Sequence, residues 1–106
     1  MKPLETEAPI LSRILKTLTA MQVFYWRNNS GRKGRVSFGD KGSPDIMGVV
    51  SGGRLFGLEV KSPVGKVSEY QLAWAEKLRA KGGYYAVVRS VDEAVIAVAN
   101  AERGCP

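Results

Sequence analysis

A mixed-sheet α/β domain is what the hydrophobic pattern of this chain predicts, on three observations. An amphipathic helical pattern opens the chain, two apolar runs joined by a three-residue turn lie at its centre, and the last third alternates helix, strand and helix. Ile10, Leu11, Ile14, Leu15, Leu18 and Met21 recur at three- and four-residue spacing, which puts them on one helical face. Pro9 is tolerated only in the first turn, where its missing N–H has no partner to lose, so this helix starts near Thr6 or Glu7. "VFYWR", residues 23–27, is aromatic and β-branched and reads as a short strand, with Phe24, Tyr25 and Trp26 expected in the core. The glycine-rich, basic segment "NNSGRKGRVSFGDKGSP", residues 28–44, reads as a loop or a loose hairpin.

"DIMGVV" and "RLFGLEVK", residues 45–50 and 54–61, are joined by "SGG", which is hairpin spacing. They are the expected central strands. In "VSEYQLAWAEKLRAKGG", residues 67–83, Ser68 is a natural N-cap, Gly82-Gly83 a stop, and Leu72, Ala75 and Leu78 the expected buried face; Trp74 is expected to pack as well. "YYAVV", residues 84–88, is a buried strand, and Ser90 with Glu93 forms a capping box that opens a last helix with Val91, Ala94, Val95 and Val98 on its apolar side. The order is therefore helix, three strands, helix, strand, helix. The strand–helix–strand step between residues 54 and 88 requires a right-handed parallel crossover, which makes the sheet mixed.

At 106 residues the chain is expected to form one domain, residues 1–106, with no linker or repeat. Charged residues make up 25% and hydrophobic ones 44%, so a packed core is attainable. No apolar run approaches the roughly 20 residues of a membrane helix and no signal peptide precedes the first helix, so a cytoplasmic protein is expected. The chain has one cysteine, Cys105, and no histidine. That composition excludes an intrachain disulfide, thiolate or imidazole zinc sites, and every mechanism with a histidine base. The net charge of +6 points to an anionic partner, nucleic acid first.

One strand carries chemistry. Alternation sends Phe56, Leu58 and Val60 to one side and Leu55, Gly57, Glu59 and Lys61 to the other. Asp45 begins the neighbouring strand, and a hairpin of this length returns Glu59 close to it. Two carboxylates side by side repel unless a proton or a cation lies between them. With oxygen ligands alone, that cation is Mg²⁺ or Mn²⁺. The Lys61 ammonium beside them can orient or help deprotonate a water, or stabilise negative charge building on phosphorus. Arg27, Arg32, Lys33, Arg35 and Lys41, five cations in fifteen residues just upstream of Asp45, suit phosphate contacts.

Pro44-Asp45 followed by Glu59-Val60-Lys61 resembles the motif of the PD-(D/E)xK nuclease superfamily, and the element order resembles its restriction-endonuclease-like core. "RNNSG" at 27–31, "GSPDI" at 42–46, "EVKSPVGKVSEYQ" at 59–71 and "YYAVVRSVDEA" at 84–94 are similar to the VRR-NUC branch, the virus-type replication-repair nucleases. The resemblance implies that Asp45, Glu59 and the main-chain carbonyl of Val60 hold the metal, and that Lys61 positions the attacking water. It also implies a first-helix glutamate ligand, Glu7 with Glu5 as rival, and a site glutamine, Gln71, which equally suits the Ser68 capping box. Arg27, Asn29, Ser30, Arg32, Lys33, Arg35, Lys41 and Lys66 are the expected nucleic-acid contacts.

The implied function is Mg²⁺-dependent endonucleolytic hydrolysis of DNA by a homodimer. A two-fold pair of such small domains matches a branched substrate such as a four-way junction, as in Holliday-junction resolvases. The alternatives are a nucleic-acid-binding module of a phage or repair system that lost its chemistry, which predicts a broken motif, and a basic structural protein.

Overall fold

The structure is a computed structural model that describes residues 5–28, 31–33, 36–38 and 41–106, with backbone alone at 31–33 and 36–38. Among these, helix α1 spans Glu7–Ala20, strands β1 to β5 span Phe24–Arg27, Gly31–Lys33, Val36–Phe38, Ile46–Val49 and Leu55–Val60, and α2 spans Glu69–Ala80. Strand β6, Tyr84–Val88, and helix α3, Val91–Glu102, complete the order. The four-stranded sheet runs β1-β4-β5-β6, antiparallel except for the parallel β5–β6 pair, so it is mixed as the crossover requires. The basic segment takes the hairpin alternative, β2 pairing antiparallel with β3 apart from the main sheet.

Helices α1 and α3 cover one face of the sheet and α2 the other. On the first face Ile10, Ile14 and Leu18 meet Phe56, Leu58 and Val60, with Ala94, Ala97, Val98 and Ala101 of α3 closing the layer. Small residues on α3 let that helix lie close to the sheet. Gly48 leaves room for the Phe56 ring, which a Cβ there would strike at 2.3 Å. The turn between β4 and β5 is made by Gly52 and Gly53, both at positive φ, which a side chain would strain.

Four expectations need correction. Phe24 and Trp26 are exposed and only Tyr25 turns inward, its hydroxyl donating to Leu15 O at 2.9 Å and meeting Thr19 Oγ1. Strand β1 lies at the sheet edge, where one face is bare, so alternation exposes every second residue. Leu72 is 54% exposed. The inward stripe of α2 is Gln71, Trp74, Ala75 and Leu78, spaced i, i+3, i+4, i+7, and a reading of apolar residues alone skips its polar member. At α3, Ser90 Oγ accepts from Glu93 N at 3.1 Å, but Glu93 returns to Arg89 N at 3.0 Å instead of Ser90 N, so the box is half-formed. Val91 and Val95 are only partly buried on α3, whose fully buried stripe also includes Ala97 and Ala101.

Candidate active site

The site forms where the starts of α1 and α2 meet one end of β4 and β5. Ile46 opposes Leu58, and the register carried one residue further sets Asp45 across from Glu59. Asp45 is held by its neighbours: its Oδ2 accepts from Val60 N at 2.8 Å and its carbonyl from Asn28 N at 2.8 Å. Glu7, in the first turn of α1, reaches the same place from the other layer. One carboxylate oxygen from each of Glu7, Asp45 and Glu59 lies within 4.8 Å of the other two. Glu5 turns away to Arg13 at 2.6 Å, so Glu7 is the first-helix carboxylate that the fold brings in.

Glu59 is 3% exposed, and its two oxygens differ. Oε1 accepts from Gln71 Nε2 at 2.9 Å and faces Lys61 Nζ at 3.8 Å, whereas Oε2 is buried with no hydrogen-bond partner among the described residues. Burial, then the charge and hydrogen bonding of Asp45, push the Glu59 carboxyl up to about 8, with Lys61 opposing and Glu7 adding to the rise. Glu7 is likewise raised, by burial and then by Asp45, against Lys61. Without a metal, Glu59 and Glu7 therefore hold protons to higher pH than they would apart from this cluster. The donor set fits a hard divalent cation: three converging carboxylates, no softer ligand, and a buried oxygen left without a partner.

Gln71 holds both of its expected positions at once. Its Oε1 accepts from Ser68 N at 2.9 Å and its backbone N donates to Ser68 Oγ at 3.2 Å, completing the capping box, while Nε2 faces Glu59. The start of α2 and the buried carboxylate are thereby coupled. Segment 42–44 is pressed onto this corner: Gly42, at positive φ, lies where a Cβ would meet Tyr70 O at 2.3 Å, and Pro44 packs on Gly57.

Two residues not singled out from the sequence belong here. Arg89 donates from one guanidinium nitrogen to Ser62 O at 2.6 Å and Gly65 O at 2.8 Å, clamping the loop that follows Lys61. That loop flanks the lysine, since a Cβ on Gly65 would touch Lys61 Cδ at 3.4 Å. Tyr85, behind Glu59 on β6, has a buried hydroxyl without a partner among the described residues and is pushed up to about 12 by burial and then Glu59, with Arg79 opposing. Arg89 stands in the "VVRS" stretch of the motif, yet nothing local signals that its target is a loop twenty-odd residues upstream.

The expected nucleic-acid contacts are scattered. Arg27 is exposed at the end of β1 and lines a shallow groove with Ala8, Leu11, Ser12 and Leu15 of α1. Lys41 lies over the Tyr70 ring at 3.9 Å, and Lys66 is exposed on the loop after Lys61. Asn29, Ser30 and Arg35 lie outside the described residues, as do the side chains of Arg32 and Lys33.

A mixed four-stranded sheet flanked by helices, with an Asp at the head of one strand and Glu-x-Lys at the end of its neighbour, defines a nuclease domain of the PD-(D/E)xK type. The family model described as VRR-NUC domain matches residues 5–92, and the chain belongs to that family. Comparison with curated proteins gives no match. No helix among the described residues is long and apolar enough to cross a membrane.

Proposed function

We propose that this domain is a Mg²⁺- or Mn²⁺-dependent endodeoxyribonuclease that works as a homodimer on branched DNA such as four-way junctions. The observation that carries the reading is the convergence of one carboxylate oxygen each from Glu7, Asp45 and Glu59 within 4.8 Å, at a glutamate whose second oxygen is not fully satisfied: Oε2 is buried without a partner among the described residues. Glu7, Asp45, Glu59 and the Val60 carbonyl hold the cation. When bound, it supplies Lewis-acid polarisation of a phosphoryl oxygen and stabilises the leaving alkoxide.

The protein's residues do the rest. Lys61, 14% exposed and tethered by Glu59, orients the water whose oxygen attacks phosphorus as the bond to the leaving sugar oxygen breaks; the attacking water gives a proton to solvent and the leaving oxygen takes one from it. Gln71 holds Glu59 Oε1 and so fixes the carboxylate, whose Oε2, without a partner among the described residues, would be available to the cation. Arg27, Lys41, Lys66 and the basic hairpin contact the phosphates, and the hairpin reaches toward the partner or the DNA arms.

The test is nicking of four-way, flapped and linear DNA with Mg²⁺, with Ca²⁺ and with excess chelator, beside light scattering over a concentration series. Paired nicks on the junction with Mg²⁺, binding without cutting in Ca²⁺, and a dimer at micromolar concentration are expected. Efficient cutting in chelator would overturn the metal role. A monomer that nicks linear duplex equally well would overturn the branched substrate and the dimer.

A further inference from the structure

Two of the aromatic residues that the fold leaves outside, Phe24 and Trp26, stand on the same face of the sheet as the carboxylates. Paired residues share a face, so the register aligns Trp26, Met47, Gly57 and Tyr85 in one row across the sheet. The adjoining row holds Asp45 and Glu59, two residues or about 7 Å away along the strands. Phe24 begins the next row, opposite Val49. Helix α2 covers the β5–β6 half of this face, Pro44 covers Gly57 and Met47 is buried, but the outer strand β1 is bare there: Phe24 is 69% and Trp26 42% exposed. Their ring centroids lie 6.1 Å apart at 60°, a tilt that leaves ring faces open instead of closing them on each other.

We infer that Phe24 and Trp26 form a stacking platform for unpaired nucleobases beside the cleavage site. The inference rests on the nuclease reading and names what the enzyme grips in it. Every base has an apolar π-face, whereas a fully paired duplex keeps those faces inside its stack, so a platform of this kind selects unpaired or splayed nucleotides. Lys41, on segment 41–44 over the same face, is placed for backbone charge where Trp26 is placed for a base. A second copy of the chain is the poorer occupant. Two rings of roughly 150–250 Å² each, only partly bare, fall far short of the about 800 Å² per partner of a stable dimer. A copy seated there would also crowd the approach to Asp45 and Glu59.

Trp26 reports on its own occupancy. In a Trp74→Phe background it is the only tryptophan, and its emission is followed in Ca²⁺ against a flapped duplex and a fully paired duplex of the same length. Quenching by the flapped DNA and little change with the paired one are expected. In the native background, Phe24→Ala and Trp26→Ala should each weaken binding to the flapped DNA about tenfold, with paired-duplex binding within about twofold, and Trp26→Phe should restore most of the loss. This anisotropy measurement decides the matter even if Trp74→Phe folds poorly. Equal losses on both DNAs, or flapped DNA that binds without loss in either alanine variant, overturn the inference. Trp26 emission that shifts with protein concentration alone overturns it in favour of a second copy. A parent protein that cuts in Mg²⁺ while neither aromatic matters sinks only the platform; one that stacks flapped DNA on Trp26 yet never cuts sinks only the nuclease reading.

Discussion

Strand β5 has two faces that differ in how completely the fold satisfies them. Phe56, Leu58 and Val60, on the face toward α1 and α3, are each 0% exposed among apolar neighbours, and every surface they bring is matched. On the opposite face, Glu59 is as well buried but ends in an oxygen with no partner and a raised pKa. One face lowers the free energy of the fold; the other buries a carboxyl group that the metal-free fold keeps protonated up to about pH 8. Burying a carboxylate without full compensation is costly, so a position of that kind is maintained by what it binds.

Substitutions on the site face should leave the fold and remove the chemistry. Asp45→Ala, Glu59→Ala and Lys61→Ala are each expected to lower the cleavage rate by about 10³-fold or more, since metal ligation and charge stabilisation contribute several kcal/mol to the barrier. Circular dichroism should show a folded protein throughout, and the two carboxylate variants should melt slightly higher without metal because repulsion is relieved. A Glu59→Ala protein that still cuts would erase the distinction between the faces.

The opposite outcome is expected one residue away. Leu58→Ala should cost about 2–5 kcal/mol of stability through lost burial and a residual cavity, measured by urea denaturation, with cleavage by the remaining folded protein little changed.

Acidity sharpens the contrast. In the unfolded chain Glu59 titrates near 4.5 and in the metal-free fold at about 8, so between these values the native state binds the extra proton. The resulting stability is complete below about pH 4.5, declines as pH rises, and is gone above about pH 8. Glu7, raised in the same direction, adds to the slope. Melting temperature of the metal-free protein should therefore fall from pH 5 to pH 8, and Glu59→Gln should flatten most of that fall. A steep fall that survives in Glu59→Gln would place the titrating group elsewhere.

The smallest effect belongs to the clamp behind Lys61. Arg89→Gln should lower kcat about tenfold with KM little changed, because the loop carbonyls of Ser62 and Gly65 lose their shared donor and Lys61 its wall. Arg89→Lys, which keeps one charged donor, should recover part of it. Faster hydrogen exchange at residues 62–67 in Arg89→Gln, with the core strands unchanged, would localise the cause.

The sequence read most clearly where one residue's chemistry decides its local structure. Pro9 limited the start of α1, Gly52-Gly53 the β4–β5 turn, Ser68 and Gln71 the start of α2, and the two-residue alternation of β5 put Glu59 on the face opposite Leu58. Even the pairing of Asp45 with Glu59 was legible, because a short hairpin leaves few registers. What failed were particular inferences about which side chains find a neighbour, while Ile10, Ile14, Leu18, Ala75, Leu78, Ala94 and Val98 are buried as expected. Phe24 and Trp26 look like core residues by composition, and their exposure depends on β1 lying at an edge where, among the described residues, a helix covers only the face of Tyr25. Leu72 lost its place in the buried stripe to Gln71 for a similar reason: the stripe follows the neighbour it meets, and there the neighbour is a carboxylate.

By itself, then, the sequence determined the element order, the mixed sheet and the carboxylate–lysine set, since these follow from period, turn residues and strand alternation within a few positions of one another. Only the tertiary structure decided between Glu7 and Glu5, freed Glu59 Oε2 of partners, sent Arg89 to the loop beside Lys61 and left an aromatic pair bare beside the site. Each of those depends on the packing of segments distant in the chain, and local sequence carries the propensities of a segment but not the identity of the surface it will meet.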